Sequence, residues 1–202
     1  TEEHGQKVKE FEQLFGNTET IVLLVESKDV FQKEVLKTIK EIGKELMDKV
    51  PASQSVMSIT DIDITIANDD ELTIIHPFQD GIPDDEQEIE KLRCLILSKK
   101  NMVGKLVSKD CTECWIILSL NPFDENTESG AGRVLTPMYK AGQAAIDIVT
   151  DKKWKSDKYT IKAAGTPYTE MEERVVIKDE TTRTVMISFS VMVILLITFT
   201  MS

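Results

Sequence analysis

The sequence predicts an α+β fold in which a sheet domain is followed by a transmembrane α-helix. Apolar strand-like runs and amphipathic helical stretches follow one another in the order β-α-β, a helical insertion, and β-α-β. This is the split β-α-β order of the ferredoxin-like fold, which places two helices on one face of a four-stranded sheet. The final stretch, Val185–Ser202, carries no charged side chain and is about 18 residues long, the lower limit for a membrane-spanning helix.

The first β-α-β unit has the clearest pattern. Thr18–Glu26 is a compact apolar run rich in β-branched residues, which predicts a buried strand. Asp29 and Gln32 form a capping-box pattern ahead of an amphipathic helix that Pro51 ends. Its apolar face consists of Phe31, Val35, Leu36, Ile39, Ile42, Leu46, Met47 and Val50. Alternating apolar and polar residues within Val56–Ile66 predict a second strand.

The middle of the chain predicts a helical insertion. Asn68–Asp85 is rich in Asp, Pro and Gly, which predicts a loop with a short extended piece at Leu72–Ile75. Pro83 and the acids after it open a helix. That helix is expected to bury Ile89, Leu92, Leu95 and Ile96. Lys105–Val107 and Cys114–Leu120 then flank a polar turn, which predicts a β-hairpin.

The last part of the domain repeats the β-α-β pattern. A polar connector, Asn121–Gly132, leads into a third amphipathic helix from about Arg133 to Val149. Its buried side is predicted to be Val134, Leu135, Met138, Ala141, Ala145, Ile148 and Val149. Tyr159–Ala163 gives a short strand, and Gly165-Thr-Pro167 a turn. No Gly or Pro follows Tyr168, so one long helix is expected to run from the turn into the membrane.

Composition excludes several classes of function. A net charge of −11 and a pI near 4.8, with no basic cluster, argue against nucleic-acid binding. His4 and His76 lie far apart without a cysteine ligand pattern, so an ordinary zinc site is not expected. No nucleophile–base pair is evident. We therefore predict a protein that is not an enzyme, with no catalytic, cofactor-binding or metal-ligating residues.

Several patterns suggest sites but have simpler interpretations. Cys111 and Cys114 have redox spacing, yet they precede a strand-like run instead of opening a helix, which favours ordinary part-buried cysteines. Ser129-Gly-Ala-Gly132 lacks the lysine of a phosphate loop and is better explained as a linker. The acidic cluster Asp84–Glu90 matches the preference for acids at a helix N-terminus.

Two further sets of residues, scattered along the chain, have patterns that suggest binding. One set is acidic and amide-bearing, lacks the glycine of a calcium loop, and is expected to form a solvated face. It comprises Asp61, Asp63, Asn68, Asp69, Asp70 and Glu71. The other set consists of methionines, which form an adaptable apolar substrate path or, more often, plain core. These are Met57, Met102, Met138, Met171 and Met186.

The order and spacing of short motifs along nearly the whole chain resemble the first extracytoplasmic loop of a resistance-nodulation-division (RND) superfamily exporter. Phe11–Gly16 is similar to the aromatic step before the family's first porter strand, and Ile21–Glu26 to that strand. Gly104–Asp110 resembles the family's hairpin, and Ala164–Pro167 its Gly-x-Pro turn before the second membrane helix. One departure is Cys111, where the family commonly has a glycine that favours a left-handed turn.

The resemblance implies a division of the chain into three parts. Residues 1–17 are an entry segment after a missing membrane helix, and residues 18–167 are an extracytoplasmic, ferredoxin-like porter domain. Residues 168–202 are a long helix with a truncated span at about 185–202. The start at Thr1, without a methionine or a signal peptide, also suggests a piece of a longer protein.

The resemblance further implies a fragment of a proton-motive-force-driven exporter of lipids or other hydrophobic molecules in the cell (inner) membrane. Its expected partners are the bilayer, the remaining membrane helices, the second porter domain, a hydrophobic or lipid substrate and further copies in an oligomer. Proton-relay residues would lie outside this fragment. No cofactor is implied.

A tail-anchored membrane protein with a cytoplasmic protein-interaction domain is the alternative. It would use Val185–Ser202 as its single anchor. The segment Glu170–Arg183 contains five acids and three bases, whereas a cytoplasmic flank usually favours Lys and Arg. This charge balance favours a domain on the outer side of the membrane.

Overall fold

The computed structural model describes residues 19–68, 71–123 and 135–200, giving the backbone alone at 66–68, 71–72, 135–136, 194–195 and 198–200. The first half contains β1 (Thr20–Ser27), α1 (Lys33–Lys49), β2 (Ser53–Met57), β3 (Ile64–Asn68), β4 (Glu71–Ile75) and α2 (Glu86–Leu97). The second half contains β5 (Glu113–Leu120), α3 (Leu135–Val149), a 3₁₀ turn (Lys152–Trp154), β6 (Tyr159–Ala164) and α4 (Thr166–Thr200).

The main sheet has four strands in the order β2-β5-β1-β6, and every neighbouring pair is antiparallel. In the register, Leu23 of β1 lies opposite Ile116 on one side and Ala163 on the other. Since β5 is antiparallel to both β1 and β2, the two strands that α1 connects run parallel with β5 between them. Likewise, β1 is antiparallel to both β5 and β6, so those two strands run parallel to each other with β1 between them. The fold class is therefore α+β, as predicted.

The core lies between this sheet and helices α1 and α3. Ile21, Leu23 and Val25 of β1 are fully buried, and Ile116 of β5 lies against Gly43 of α1. Each large apolar side chain removed from water contributes about 1.5–3 kcal/mol. The apolar positions predicted for α1 are buried at Phe31, Val35, Leu36, Ile39, Ile42, Leu46 and Val50, and Met47 is partly buried. For α3, Met138, Ala141, Ala145 and Ile148 are buried, whereas Val134 lies outside the described residues.

The predicted capping box is wrong. α1 begins at Lys33, and Gln32 at its N-cap position makes no side-chain hydrogen bond to the helix. The Asp29 carboxylate accepts a hydrogen bond from the backbone N–H of Phe31 at 3.0 Å. A separate turn closed by the Gln32 N–H and the Asp29 carbonyl therefore stands between Asp29 and the helix.

The single strand predicted over Val56–Ile66 is also wrong. β2 ends at Met57, and a turn follows in which the hydroxyls of buried Ser58 and Thr60 lie 2.8 Å apart and both donate to Asp61. The chain then enters β3, which pairs with β4 in a separate hairpin. The short extended piece predicted at Leu72–Ile75 belongs to β4.

Helix α2 begins at Glu86, three residues after the predicted opening at Pro83, so Pro83 and Asp84 lie before the helix. Asp85 is the N-cap residue, and its carboxylate accepts from the Gln87 N–H at 3.0 Å. Ile89 and Ile96 are buried, and Leu92 and Leu95 are partly buried.

The predicted hairpin before β5 is reduced to one antiparallel bridge between Val107 and Cys114. The Ser108 hydroxyl instead organises the turn, donating to Asp110 and accepting from the N–H groups of Thr112 and Glu113. Cys111 has a φ of 59°, the left-handed conformation that the expected glycine would favour.

Candidate functional site

The most distinctive surface of the described chain is helix α4, and its base is seated on the domain. Gly165 has a φ of 112° and lies against β1, where an added Cβ would overlap the Thr20 carbonyl oxygen and approach Ile21 Cα to 3.1 Å. Pro167 and Tyr168 in the first turn are buried. The long stretch after the turn is therefore one helix that starts directly against the central strand of the sheet.

Helix α3 supplies the second half of this seat. A Cβ on Gly142 would overlap the Pro167 carbonyl oxygen and lie 2.8 Å from Met171 Cβ, so the α3 and α4 backbones are in close contact there. One turn further along α4, the Arg174 guanidinium lies over the Tyr139 ring, 4.4 Å from its centroid. The two helices thus meet through backbone packing and a cation–π contact.

Beyond this seat, α4 leaves the domain as a polar stalk, residues 172–184. Every residue in the stalk is exposed. It contains all of the five acids and three bases of Glu170–Arg183 except Glu170. Thirteen helical residues rise about 20 Å, so the next segment lies well away from the sheet.

The segment after the stalk, Val185–Ile197, is apolar, and its side chains are exposed where the structure describes them, at 185–193 and 196–197. The exposed fractions of the large side chains among these run from 36% at Val193 to 64% at Met186. The Ser190 hydroxyl donates to the Met186 carbonyl at 2.8 Å, so a polar side chain here is satisfied within its own helix. A side chain satisfied in this way is tolerated in a nonpolar environment.

Among the described residues, no helix combines the length and apolarity needed to cross a membrane. The predicted span at about 185–202 extends over residues 194, 195 and 198–202, whose side chains or positions lie outside the description. The transmembrane helix therefore stays a prediction.

The cysteines are all free, and two of them are core residues. Cys94 is exposed, while Cys111 and Cys114 are 2% and 0% exposed. Burial raises the pKa of the Cys114 thiol from an ordinary 9.0 to about 12, although a backbone hydrogen bond from Ile59 opposes this. A thiol that stays protonated at neutral pH is a poor nucleophile, so the geometry favours a packing role for Cys114.

Two members of the acidic set that resembles a calcium loop have described side chains, and both have partners. Asp61 accepts from Ser58 and Thr60, and Asp63 pairs with His76. Asp69 and Asp70 lie outside the described residues, and Asn68 and Glu71 are described by their backbone alone. Within the described ranges, no group of three or more His, Cys, Asp or Glu side chains is arranged to hold a metal ion.

A cleft of about 360 Å³ lies beside the β3–β4 hairpin. Its lining consists of Lys40, Thr60, Asp61, Ile62, Asp63, His76, Phe78 and Gln79. Lys40 donates to the Phe78 carbonyl, and the two aspartates have the partners given above. Lys40, Asp61, Asp63 and His76 each already have a partner within the protein, so the cleft gives no specific indication of a ligand.

The remaining candidates are scattered or lie outside the description. Met57, Met138 and Met186 belong to β2, α3 and α4, and Met102 is a core residue after α2. The acidic cluster at Asp84–Glu90 acts at the start of α2, and Asp84 also pairs with Lys33. Ser129–Gly132 lies outside the described residues.

The sequence did not predict the two glycine contacts that seat α4. The only signal in the sequence was that Gly142 lies among small residues of α3, which permits a close helix contact. Its partner Pro167 lies on another helix, so no local pattern identifies the pair. No protein-family model matches this chain, and no curated protein matches it.

Proposed function

We propose that this chain is a porter domain of an RND-type exporter of lipids or other hydrophobic molecules, with a ferredoxin-like fold and a last helix that enters the cell membrane. The proposal rests mainly on the course of helix α4 from the domain to its apolar end. One helix is packed against the sheet at its first turn, passes through a polar stalk and becomes uncharged and apolar from Val185 onward. Such a segment favours a nonpolar neighbour, since each large side chain gains about 1.5–3 kcal/mol on leaving water.

The sheet supports the ferredoxin-like part of the proposal. In that fold, two β-α-β units interleave so that each central strand lies between two strands that are parallel to one another. The order β2-β5-β1-β6 has this arrangement, with β3, β4 and α2 as the helical and hairpin insertion after β2. The fold hosts many functions, so it supports the exporter only together with α4.

Local geometry supports the motif resemblance at two points. The Gly-x-Pro turn at Gly165 requires glycine, because its φ of 112° and its contact with Thr20 exclude a side chain. The turn at Ser108–Asp110 is held by the two polar side chains that the resemblance aligns with the family's hairpin. On this proposal, the proton-relay residues belong to other membrane helices.

The experiment that tests the proposal determines which side of the membrane holds the domain. An epitope is inserted after Asp157, an exposed loop position, and the tagged protein is produced in the cells from which it comes. Loss of the epitope to added protease is then measured. An exporter predicts that the membrane fraction contains the protein and that protease removes the epitope in cells with a permeable outer layer but an intact inner membrane. A control epitope on a cytoplasmic protein must survive the same treatment.

Two outcomes contradict the proposal. Protection of the epitope until the membrane is broken would favour the tail-anchored alternative with a cytoplasmic domain. Recovery of the protein in the soluble fraction would exclude both interpretations, because both require Val185–Ser202 to lie in the membrane.

A further inference from the structure

We infer that Gly142 and Gly165 form a rigid joint, so that the sheet domain and helix α4 move as a single body. The glycines allow two backbone contacts that a side chain would prevent, one to β1 and one between α3 and α4. Close-packed contacts of this kind transmit movement because they leave no space for independent rearrangement.

The contacts at the joint approach α4 from different directions. Gly165 places the start of the helix against Thr20 and Ile21 of the central strand β1. Gly142 places the first two turns of α4 against α3, through Pro167 and Met171. If α4 rotated about one of these contacts, the atoms at the other contact would move apart or clash. The two contacts together therefore fix both the position and the direction of the helix.

The joint is reinforced at its outer edge. Arg174 stacks on the ring of Tyr139 at 4.4 Å from the centroid, one turn beyond the last half-buried residue, Met171. The ring and the guanidinium are both partly solvated, where such a contact contributes about 0.5–1 kcal/mol. This contact opposes tilting of α4 away from α3.

The stalk contains no alternative hinge. Sharp bends in helices occur mostly at Pro, Gly or inserted groups, and the sequence has neither residue after Tyr168. At 1.5 Å per residue, α4 is about 52 Å long, so a small rotation of the domain moves the far end by several ångströms. Gly142 and Gly165 are thus positioning residues for whatever contacts Val185–Ile197.

Distances between spin labels test this inference in the full chain. One label is placed on α1 by Lys37→Cys and the other on the stalk by Asp179→Cys, both exposed positions, with Cys94 replaced by Ser. The reference is a pair within α1, Lys37→Cys with Lys44→Cys. A rigid joint predicts that the α1–α4 distance distribution is as narrow as the reference, and a distinctly broader one would overturn the inference.

Glycine variants then test the residues. Gly142→Ala is expected to shift or broaden the α1–α4 distance while leaving the pair within α1 unchanged. The matched control is Gly43→Ala, a helical glycine whose added Cβ would meet nothing closer than 3.4 Å. An α1–α4 distance in Gly142→Ala that matches Gly43→Ala would overturn the role of Gly142.

A milder variant covers the case in which Gly142→Ala fails to fold. Arg174→Ala removes only the contact with Tyr139 and is expected to broaden the α1–α4 distance without affecting the pair within α1. No broadening would contradict the reinforced joint. The inference does not depend on export, so its failure would leave the membrane location of the helix untouched.

Discussion

At the residue scale, Gly165 and Cys111 have positive φ angles but very different surroundings. Cys111 has a φ of 59°, within the left-handed region that L residues tolerate at a cost of about 1–2 kcal/mol. Gly165 has a φ of 112° and faces the β1 backbone. The Cys111 side chain has room in the core, where it lies beside Arg93 of α2, whereas at Gly165 the β1 backbone leaves no room for a side chain.

We expect Gly165→Ala to lower the free energy of unfolding by about 3 kcal/mol or more, because strain and a backbone overlap are combined. Gly104→Ala is the control, since Gly104 also has a positive φ of 81° but nothing within 4 Å of an added Cβ. That variant is expected to cost only about 1–2 kcal/mol. Urea unfolding measures both, and equal losses would show that the contact with Thr20 is unimportant.

Cys114 gives a prediction about pH. Because burial raises its pKa to about 12, the folded protein holds the thiol proton more tightly than the unfolded chain does. Its contribution is therefore complete below pH 9.0 and is lost as the pH rises towards 12. Between these values, the stability should fall by up to about 1.4 kcal/mol per pH unit from this group.

Urea unfolding between pH 8 and pH 10 measures this slope. Cys114→Ala removes the titrating group, so its stability should decline less steeply even though its absolute stability is lower. Parallel declines in the two proteins would show that Cys114 does not determine the alkaline behaviour.

At the scale of elements, Asp29 connects the turn before α1 with α2. Its Oδ1 accepts from the Phe31 N–H, and its Oδ2 lies 3.2 Å from the Arg93 guanidinium. Arg93 also stacks on the Phe31 ring at 5.5 Å from the centroid. Burial acts to lower the pKa of the Arg93 guanidinium, but the interactions with Asp29, Cys111 and Glu90 together raise it by more. The pKa of Arg93 therefore lies above its ordinary value.

Two substitutions separate the two roles of Asp29. Asp29→Asn keeps an oxygen for the Phe31 N–H and removes the ion pair, at an expected cost of about 0.5–1 kcal/mol for a part-exposed pair. Asp29→Ala removes both and is expected to cost about 1–2 kcal/mol more, by analogy with a lost helix cap. The midpoint of chemical unfolding measures the difference, and indistinguishable midpoints for Asn and Ala would exclude a role for the turn hydrogen bond.

The elements predicted from sequence are those that local periodicity determines. The apolar spacing of α1 and the compact run of β1 predicted both elements, because α1 buries one face and β1 is buried at consecutive positions on both of its faces. Val56–Ile66 was misassigned because its alternation continues across a turn, and only pairing with β4 shows that the second half belongs to another sheet. The prediction of a capping box was wrong for a similar reason, because the Asp29 carboxylate accepts its hydrogen bond within a turn that precedes the helix.

The candidate site was only partly predictable for the same reason. The absence of Gly and Pro after Tyr168 predicted one long helix. The seat of that helix requires Gly142 and Pro167 to meet across two helices, and no spacing within either segment reveals the contact. Local patterns therefore predicted the element, whereas tertiary packing determined how it is joined to the domain.

At the scale of the whole molecule, charge and apolarity are separated along one axis. The sequence has a net charge of −11, and Val185–Ser202 contributes no charged side chain. α4 connects these two regions through a stalk about 20 Å long. This separation supports the proposal that the domain stays in water while the far part of α4 lies in a lipid bilayer.

Spin-label accessibility in lipid bilayers tests that claim most directly. Labels at Val176→Cys in the stalk and Val191→Cys in the apolar segment, again with Cys94→Ser, are exposed in turn to a water-soluble nickel complex and to oxygen, which concentrates in lipid. Insertion of the helix into the bilayer predicts that the label at position 176 is accessible to nickel, and that the label at position 191 is shielded from nickel but accessible to oxygen. Equal nickel accessibility at the two positions would contradict it.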